Sequence, residues 1–401
     1  MLRIYNITIY LYILLVRIHS LINKKSRQWV NGRKNLFKNL ITTLSNEKNI
    51  IWFHCASLGE YEQAKELIIK YKEEYKEDKI LVTFFSPSGY KNIKKNNTID
   101  WIFYIPIDTR KNARKFINLI KPDKVFFIKS EFWYNYMNIL AEKNIPLYHI
   151  SSVFRKNDFA IKSSFSARVL SQSEHFFVQD EESQLALQSI NINQVTITGD
   201  TRIDSILSDI KVSQEDNTIK YFCKEKPVII FSSIWSEDEH IVLNYIRSHN
   251  NYKYIIAPHE ISYCKEIIKK LDPITYSNFN KEAKKDILLI DNIGVLKHIY
   301  KYCSIAYVGG GFGDGIHNIL EASANGIPVI IGPNYLKFVE AFELISINAA
   351  FSIRNINEFK IAVNKIEESF KKEHVLNYIL KKSGSVKKII EKISAKENLL
   401  D

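Results

Sequence analysis

Two segments concentrate the side chains able to do chemistry. In Trp52–Leu67 (WFHCASLGEYEQAKEL) an apolar run ends at Cys55, a loop carries Ser57 and Gly59, and Glu60 opens a helix. A carboxylate there can accept a proton from a sugar hydroxyl, and the helix dipole is expected to lower its pKa. The plainer role of such an acid is as a partner for the helix N-terminus. The second segment is Ile305–Pro333 (IAYVGGGFGDGIHNILEASANGIPVIIGP), an apolar run leading into Gly309, Gly310, Gly311, Gly313 and Gly315. A helix is expected to begin near His317. Glycines let backbone N–H groups approach a phosphate, and a helix N-terminus adds partial positive charge. Glu321, four residues beyond His317 on one helix face, is placed to accept from ribose hydroxyls. No G-K-[ST] follows, and the spacing is not G-x-G-x-x-G, so neither a P-loop nor that dinucleotide fingerprint is present.

Three shorter segments follow other apolar runs. Phe126–Asn135 (FFIKSEFWYN) carries Glu131, Trp133 and Asn135; Phe231–Glu239 (FSSIWSEDE) carries Ser232 and Ser233 before an acidic helix start; Ala257–Glu260 (APHE) carries His259. The structural roles open to them are aromatic core, helix cap and buried histidine. Cys55, Cys223, Cys264 and Cys303 lie far apart, without zinc spacing or a disulfide framework. No metal or other cofactor is expected, and a reducing compartment is.

The elements that position these residues alternate. Strand-like runs at Ile50–Cys55, Ile80–Phe85, Lys124–Ile128, Ile145–Ile150, Phe176–Val178 and Val195–Ile197 are separated by helix-like stretches. A polar stretch, Ser208–Lys226, interrupts the pattern. It resumes at Val228–Phe231, Tyr254–Ala257, Ile287–Ile290, Ile305–Val308 and Val329–Ile331. This is an α/β chain of two parallel-sheet units, whose ligands bind beyond the carboxyl ends of strands. The net charge is +12, but the lysines are dispersed and form no basic arm. Nucleic acid is therefore not expected as a partner, whereas anionic lipid and nucleotide are. The apolar run Ile4–Val16 (IYNITIYLYILLV), followed by Lys24, Lys25, Arg27, Arg33 and Lys34, is expected to be an uncleaved membrane anchor with its basic flank on the cytoplasmic side, spanning or lying in the interface. The alternative is a first helix buried in the domain.

In this order the segments resemble the Kdo (3-deoxy-D-manno-octulosonic acid) transferases of lipopolysaccharide synthesis, from the N-terminus to about residue 355. Ser57-Leu58-Gly59-Glu60 matches the family's S-x-G-E, and Glu131 and Trp133 its E-T-E-x-W-x-N. Ser151–Arg155 is similar to its N-A-R-L-S segment and Gly199–Asp204 (GDTRID) to its G-N-x-K-x-D. His259 falls in its P-R-H region. Gly309–Glu321 matches V-G-G-S…G-G-H-N-x-x-E, and Gly332-Pro333 with Phe338 and Glu340 its G-P-x-x-x-N-F-x-E. The first acid of E-T-E is Lys129 here, S-T-H reads Ser233-Ile234-Trp235, P-R-H reads A-P-H, and the N of N-F is Lys337.

The resemblance implies a GT-B glycosyltransferase: an anchor over 1–22, an acceptor-binding Rossmann-like domain over 23–205, and a CMP-sugar-binding one over 206–401, facing across a cleft. It implies Glu60 as general base, with Glu131 also catalytic. Ser233, His259, Gly309, Gly310, Gly311, His317, Asn318 and Glu321 would hold the CMP-Kdo donor. Ser57, Gly59, Trp133, Arg155 and Arg202 would contact substrate. The implied reaction is inverting transfer of Kdo to the 6′-hydroxyl of lipid IVA on the cytoplasmic face of the inner membrane. The rivals are another GT-B nucleotide-sugar enzyme (a UDP-sugar transferase or epimerase) and a catalytically inactive nucleotide-binding membrane protein, the latter favoured by Lys129.

Overall fold

The computed structural model describes residues 1–292 and 294–397. Two compact units result, one comprising Met1–Ser205 with the chain from Ser383 onward, the other Ile206–Lys382. The helix Ser385–Glu397 thus groups with the first unit, whereas the sequence reading assigned it to the second.

The first unit is built on seven parallel strands: β1 (Ile50–Cys55), β2 (Lys79–Phe84), β3 (Trp101–Tyr104), β4 (Lys124–Ile128), β5 (Leu147–Ser152), β6 (His175–Val178) and β7 (Val195–Ile197), in the order β3-β2-β1-β4-β5-β6-β7. All six residues of β1 are buried. Successive strand side chains point to opposite faces, and both faces of this sheet are covered. Trp52 packs with Phe116, Phe127 and Tyr136 on one side. Phe53 stacks on Phe126 on the other, where Leu67, Ile68, Val386 and Ile389 complete the layer. That is why the strand reads as an apolar run interrupted only by His54, itself buried.

The second unit repeats the plan with β8 (Val228–Ile234), β9 (Lys253–Pro258), β10 (Ile274–Thr275), β11 (Ile287–Leu289), β12 (Ile305–Val308), β13 (Val329–Ile331) and β14 (Ala350–Ser352), all parallel, in the order β10-β11-β9-β8-β12-β13-β14. In each sheet the strand order turns back beside the unit's first strand, between β1 and β4 and between β8 and β12. Crevices for ligands form at such switch points. Glu60 follows β1 and Glu131 follows β4; Ser233 lies at the end of β8 and the glycine loop follows β12.

The N-terminal helix, Leu2–His19, belongs to the first unit and is half docked rather than buried. Its Tyr5 hydroxyl donates to Asp108 at 2.5 Å, Asn135 Nδ2 donates to Asn6 Oδ1 at 2.9 Å, and Tyr5 meets Tyr134 edge-on. The opposite face exposes Ile4, Ile7, Leu11, Leu14, Leu15 and Ile18. A fully buried first helix is thereby excluded.

Candidate active site

The first half-site lies at the switch point of the first sheet. Ser57 is the N-cap of the helix Leu58–Glu74 in extended conformation, but its side chain makes no capping bond. Glu60 instead reaches back and accepts from the Ala56 N–H, one residue before the N-cap. Glu131, on the loop after β4, is hydrogen-bonded to Glu60. Burial raises the pKa of Glu131 to about 8, and the neighbouring Glu60 charge adds to the rise. Burial raises Glu60 as well; the backbone of Ala56 and Ser57, Lys129 and the bond from Glu131 pull it partly back. The expectation that the helix dipole would leave Glu60 below its ordinary value is corrected, because desolvation outweighs the dipole here. Two carboxyls this close cannot both ionise cheaply, so Glu131 holds the proton and donates it towards Glu60.

Lys129, standing where the family's motif has an acid, draws both carboxyls down. Its backbone is left-handed, φ 66°, at the end of β4. Such a conformation in a non-glycine residue costs roughly 1–3 kcal/mol and is concentrated at functional sites. Trp133 packs between Phe85 (5.0 Å between centroids) and His54 (5.7 Å). Asn135 is structural: its amide donates to the Asp108 carbonyl at 2.7 Å and to Asn6. The two arginines expected at the substrate are committed elsewhere. Arg155 forks onto Asp180 (3.1 and 2.8 Å) and pairs with Glu182, while Arg202 pairs with Asp200 at 2.6 Å.

The second half-site lies at the switch point of the second sheet. Ser233, φ 53°, makes a bulge at the end of β8, and the pairing with β9 shifts from Ser232 to Ile234. The glycine loop folds tightly on itself. Gly309 N–H donates to the Ser232 carbonyl and Gly310 N–H to the Asp238 carboxylate at 3.0 Å. A Cβ at Gly309 would lie 2.5 Å from the Ser233 carbonyl, and one at Gly311 2.7 Å from Gly332, so both glycines are demanded by close packing. Two of the three N–H groups expected to cradle phosphate are therefore already used. The helix begins at Leu320, three residues later than expected, and runs only to Ala324. His317 and Asn318 sit in the loop before it, with Asn318 Nδ2 donating to Glu321 at 3.1 Å. His259, at the end of β9, stacks on His317 at 4.4 Å.

Sequence reasoning treated the acid at 238 only as part of a helix start. Asp238 is fully buried, accepting from Trp235 N–H (3.0 Å), Gly310 N–H and the Tyr307 hydroxyl (2.6 Å). It ties β8 to the glycine loop. The hint was its place three residues after Trp235, the N-cap position that follows β8, as in an N-terminal capping pattern.

Residues 30–205 match the family model of the 3-deoxy-D-manno-octulosonic-acid transferases. The 3-deoxy-D-manno-octulosonic acid transferase of Aquifex aeolicus is 28% identical over 342 residues, 82% of this chain and 89% of that one. Its counterpart from Chlamydophila psittaci is 25% identical over 78% of this chain and 76% of that one. Over most of its length the chain is similar to the Kdo transferases. A bifunctional glycosyltransferase/methyltransferase of Fusobacterium nucleatum is 26% identical over 88% of this chain, which spans 58% of that longer relative. In fold it is GT-B-like. UDP-GlcNAc 2-epimerases from Neisseria meningitidis (TM-score 0.60, 16% identity, 86% of this chain and 99% of that one) and Methanocaldococcus jannaschii (0.56, 15%, 82% and 98%) share the architecture.

Proposed function

We propose that this chain moves Kdo from CMP-Kdo to the 6′-hydroxyl of lipid IVA, with inversion. The observation that supports the reading best is the proton-sharing pair at the β1/β4 switch point. The Glu60 carboxylate takes the acceptor's hydroxyl proton as that oxygen attacks the anomeric carbon. The bond from that carbon to the phosphate oxygen breaks, and CMP leaves with the electron pair. Glu131, protonated, keeps Glu60 oriented and is itself too weak an acid to compete for the charge. Lys129 supplies the compensating positive charge beside the pair, so its presence in place of an acid does not argue for an inactive protein.

On the donor side, His317, Asn318 and the Gly311 N–H are the groups we assign to the phosphate, and Glu321 to the ribose. Ser233 and His259 border the same loop. No step is assigned to Arg155 or Arg202.

The first helix is proposed to lie in the membrane interface at the cytoplasmic face of the inner membrane. Its 18 residues reach about 27 Å at 1.5 Å each, short of a bilayer core of about 30 Å. One face is docked on the protein and the other is apolar, with Arg17, Lys24, Lys25 and Arg27 beside it for anionic headgroups.

The test is incubation of the full chain with CMP-Kdo and lipid IVA, reading product mass. A product heavier by one or more Kdo residues supports the proposal. Absence of product, with turnover of UDP-GlcNAc instead, refutes it in favour of an epimerase.

A further inference from the structure

Three rings meet at the carboxyl ends of β8, β9 and β12. The planes of Trp235 and His317 lie 8° apart with centroids 6.0 Å apart, and the indole Nε1–H donates to His317 Nε2 at 2.8 Å. These two rings are therefore coplanar neighbours joined edge to edge. His259 lies over both, 4.2 Å from Trp235 and 4.4 Å from His317, tilted by 20° and 26°. The bulge at Ser233, which pairs Ile234 with Pro258, brings Trp235 beside His259, and the Asp238 carboxylate fixes the Trp235 backbone.

An indole N–H only donates. The nitrogen that receives it must carry a bare lone pair, so the proton of His317 sits on Nδ1. Burial and the facing His259 ring hold His317 down to about 4, which keeps it neutral. Its Nδ1–H meets no protein acceptor among the described residues. The family motif quoted above has histidine where this chain has Trp235. A histidine can donate or accept and leaves the facing ring free to choose its tautomer; a tryptophan removes the choice.

We propose that Trp235 is a positioning residue, locking His317 in its Nδ1–H tautomer as a neutral, one-directional hydrogen-bond donor to a phosphate oxygen of the nucleotide. The ligand half of this inference rests on the reading of the protein as a CMP-sugar enzyme; the tautomer half does not. A neutral donor binds phosphate by a directed dipole and offers no labile charge to the departing group.

The test uses the full chain with ¹⁵N-labelled histidine. Ligand-free long-range ¹H–¹⁵N spectra should show His317 with a protonated Nδ1 and a bare Nε2. W235F, which keeps a ring but loses the N–H, should give mixed tautomers and weaken CMP binding roughly 3–10-fold. W235H, which can either donate or accept, should leave the tautomers mixed and recover only part of the affinity. A protonated Nε2 in the wild type overturns the proposal, as does an unchanged tautomer or unchanged CMP affinity in W235F. Should W235F fail to fold, the wild-type tautomer alone decides. Binding of UDP but not CMP, weakened by W235F in the same proportion, would leave Trp235 in its role and discard the CMP-Kdo reading.

Discussion

The carboxyl of Glu131 is hydrogen-bonded to that of Glu60, with burial raising both above their ordinary range. A carboxyl with a higher pKa folded than unfolded binds its proton more tightly in the native state. Its contribution to stability is complete below the ordinary 4.5 and is lost as pH rises through about 8. Glu131→Gln removes that loss while still offering Glu60 a donor. The variant should gain roughly 1–3 kcal/mol relative to wild type between pH 5 and pH 8, read by denaturant melts at both. Its transfer rate should stay within about tenfold, and the decline of wild-type activity above pH 8 should flatten. A thousandfold loss of turnover would mean that Glu131 itself moves a proton.

Gly59 sits in the first turn of a helix, where an added Cβ would meet only Ser57 Oγ, at 3.9 Å. Its smallness is not required by the fold. Gly59→Ala should therefore stabilise the first unit by up to about 1 kcal/mol while raising KM for the lipid acceptor. Unchanged KM would remove Gly59 from the acceptor surface.

Asp238 is the anchor of the glycine loop. Asp238→Ala leaves the Tyr307 hydroxyl and two backbone donors without their acceptor, and should cost about 3 kcal/mol. CMP binding should fall with it, and hydrogen exchange at Gly310 should rise ahead of the rest of the sheet. A stable variant with wild-type CMP affinity would show that the loop holds its shape without the carboxylate.

The first helix is attached through the face that carries Leu2, Tyr5 and Asn6. Leu11→Lys or Leu15→Lys, on the exposed face, should each weaken binding to anionic vesicles by roughly tenfold or more, without lowering the melting temperature. Alkaline carbonate should strip the wild type from membranes. Resistance to carbonate would indicate a helix that crosses the bilayer.

Much of the scaffold is legible from residue order alone, because β1, β4, β8 and β12 are central strands buried on both faces and therefore mostly apolar runs. Strands β3, β10 and β14 escape notice for the opposite reason. They lie at or near sheet edges, are two to four residues long, and follow no alternation. Val386, Ile389 and Ile393 were equally unreadable as part of the first unit, since an apolar helix face does not name the sheet it will cover. Local signals also overstate free charge. Arg155 and Arg202 read as ligands for an anionic donor, but Asp180 and Asp200 occupy them. The pKa of Glu60 depends on burial and on Lys129 and Glu131 from a distant strand end, which no helix-dipole argument contains. Trp235 is visible in the sequence only as a departure from a motif; its role needs the ring geometry.

The most direct measurement is Kdo transfer by Glu60→Gln, compared with CMP affinity in the same preparation. The variant keeps the shape of the side chain but cannot take up a proton. Transfer should fall by about 10²–10⁴ with CMP affinity unchanged. Transfer within a few-fold of wild type would contradict a base at this position.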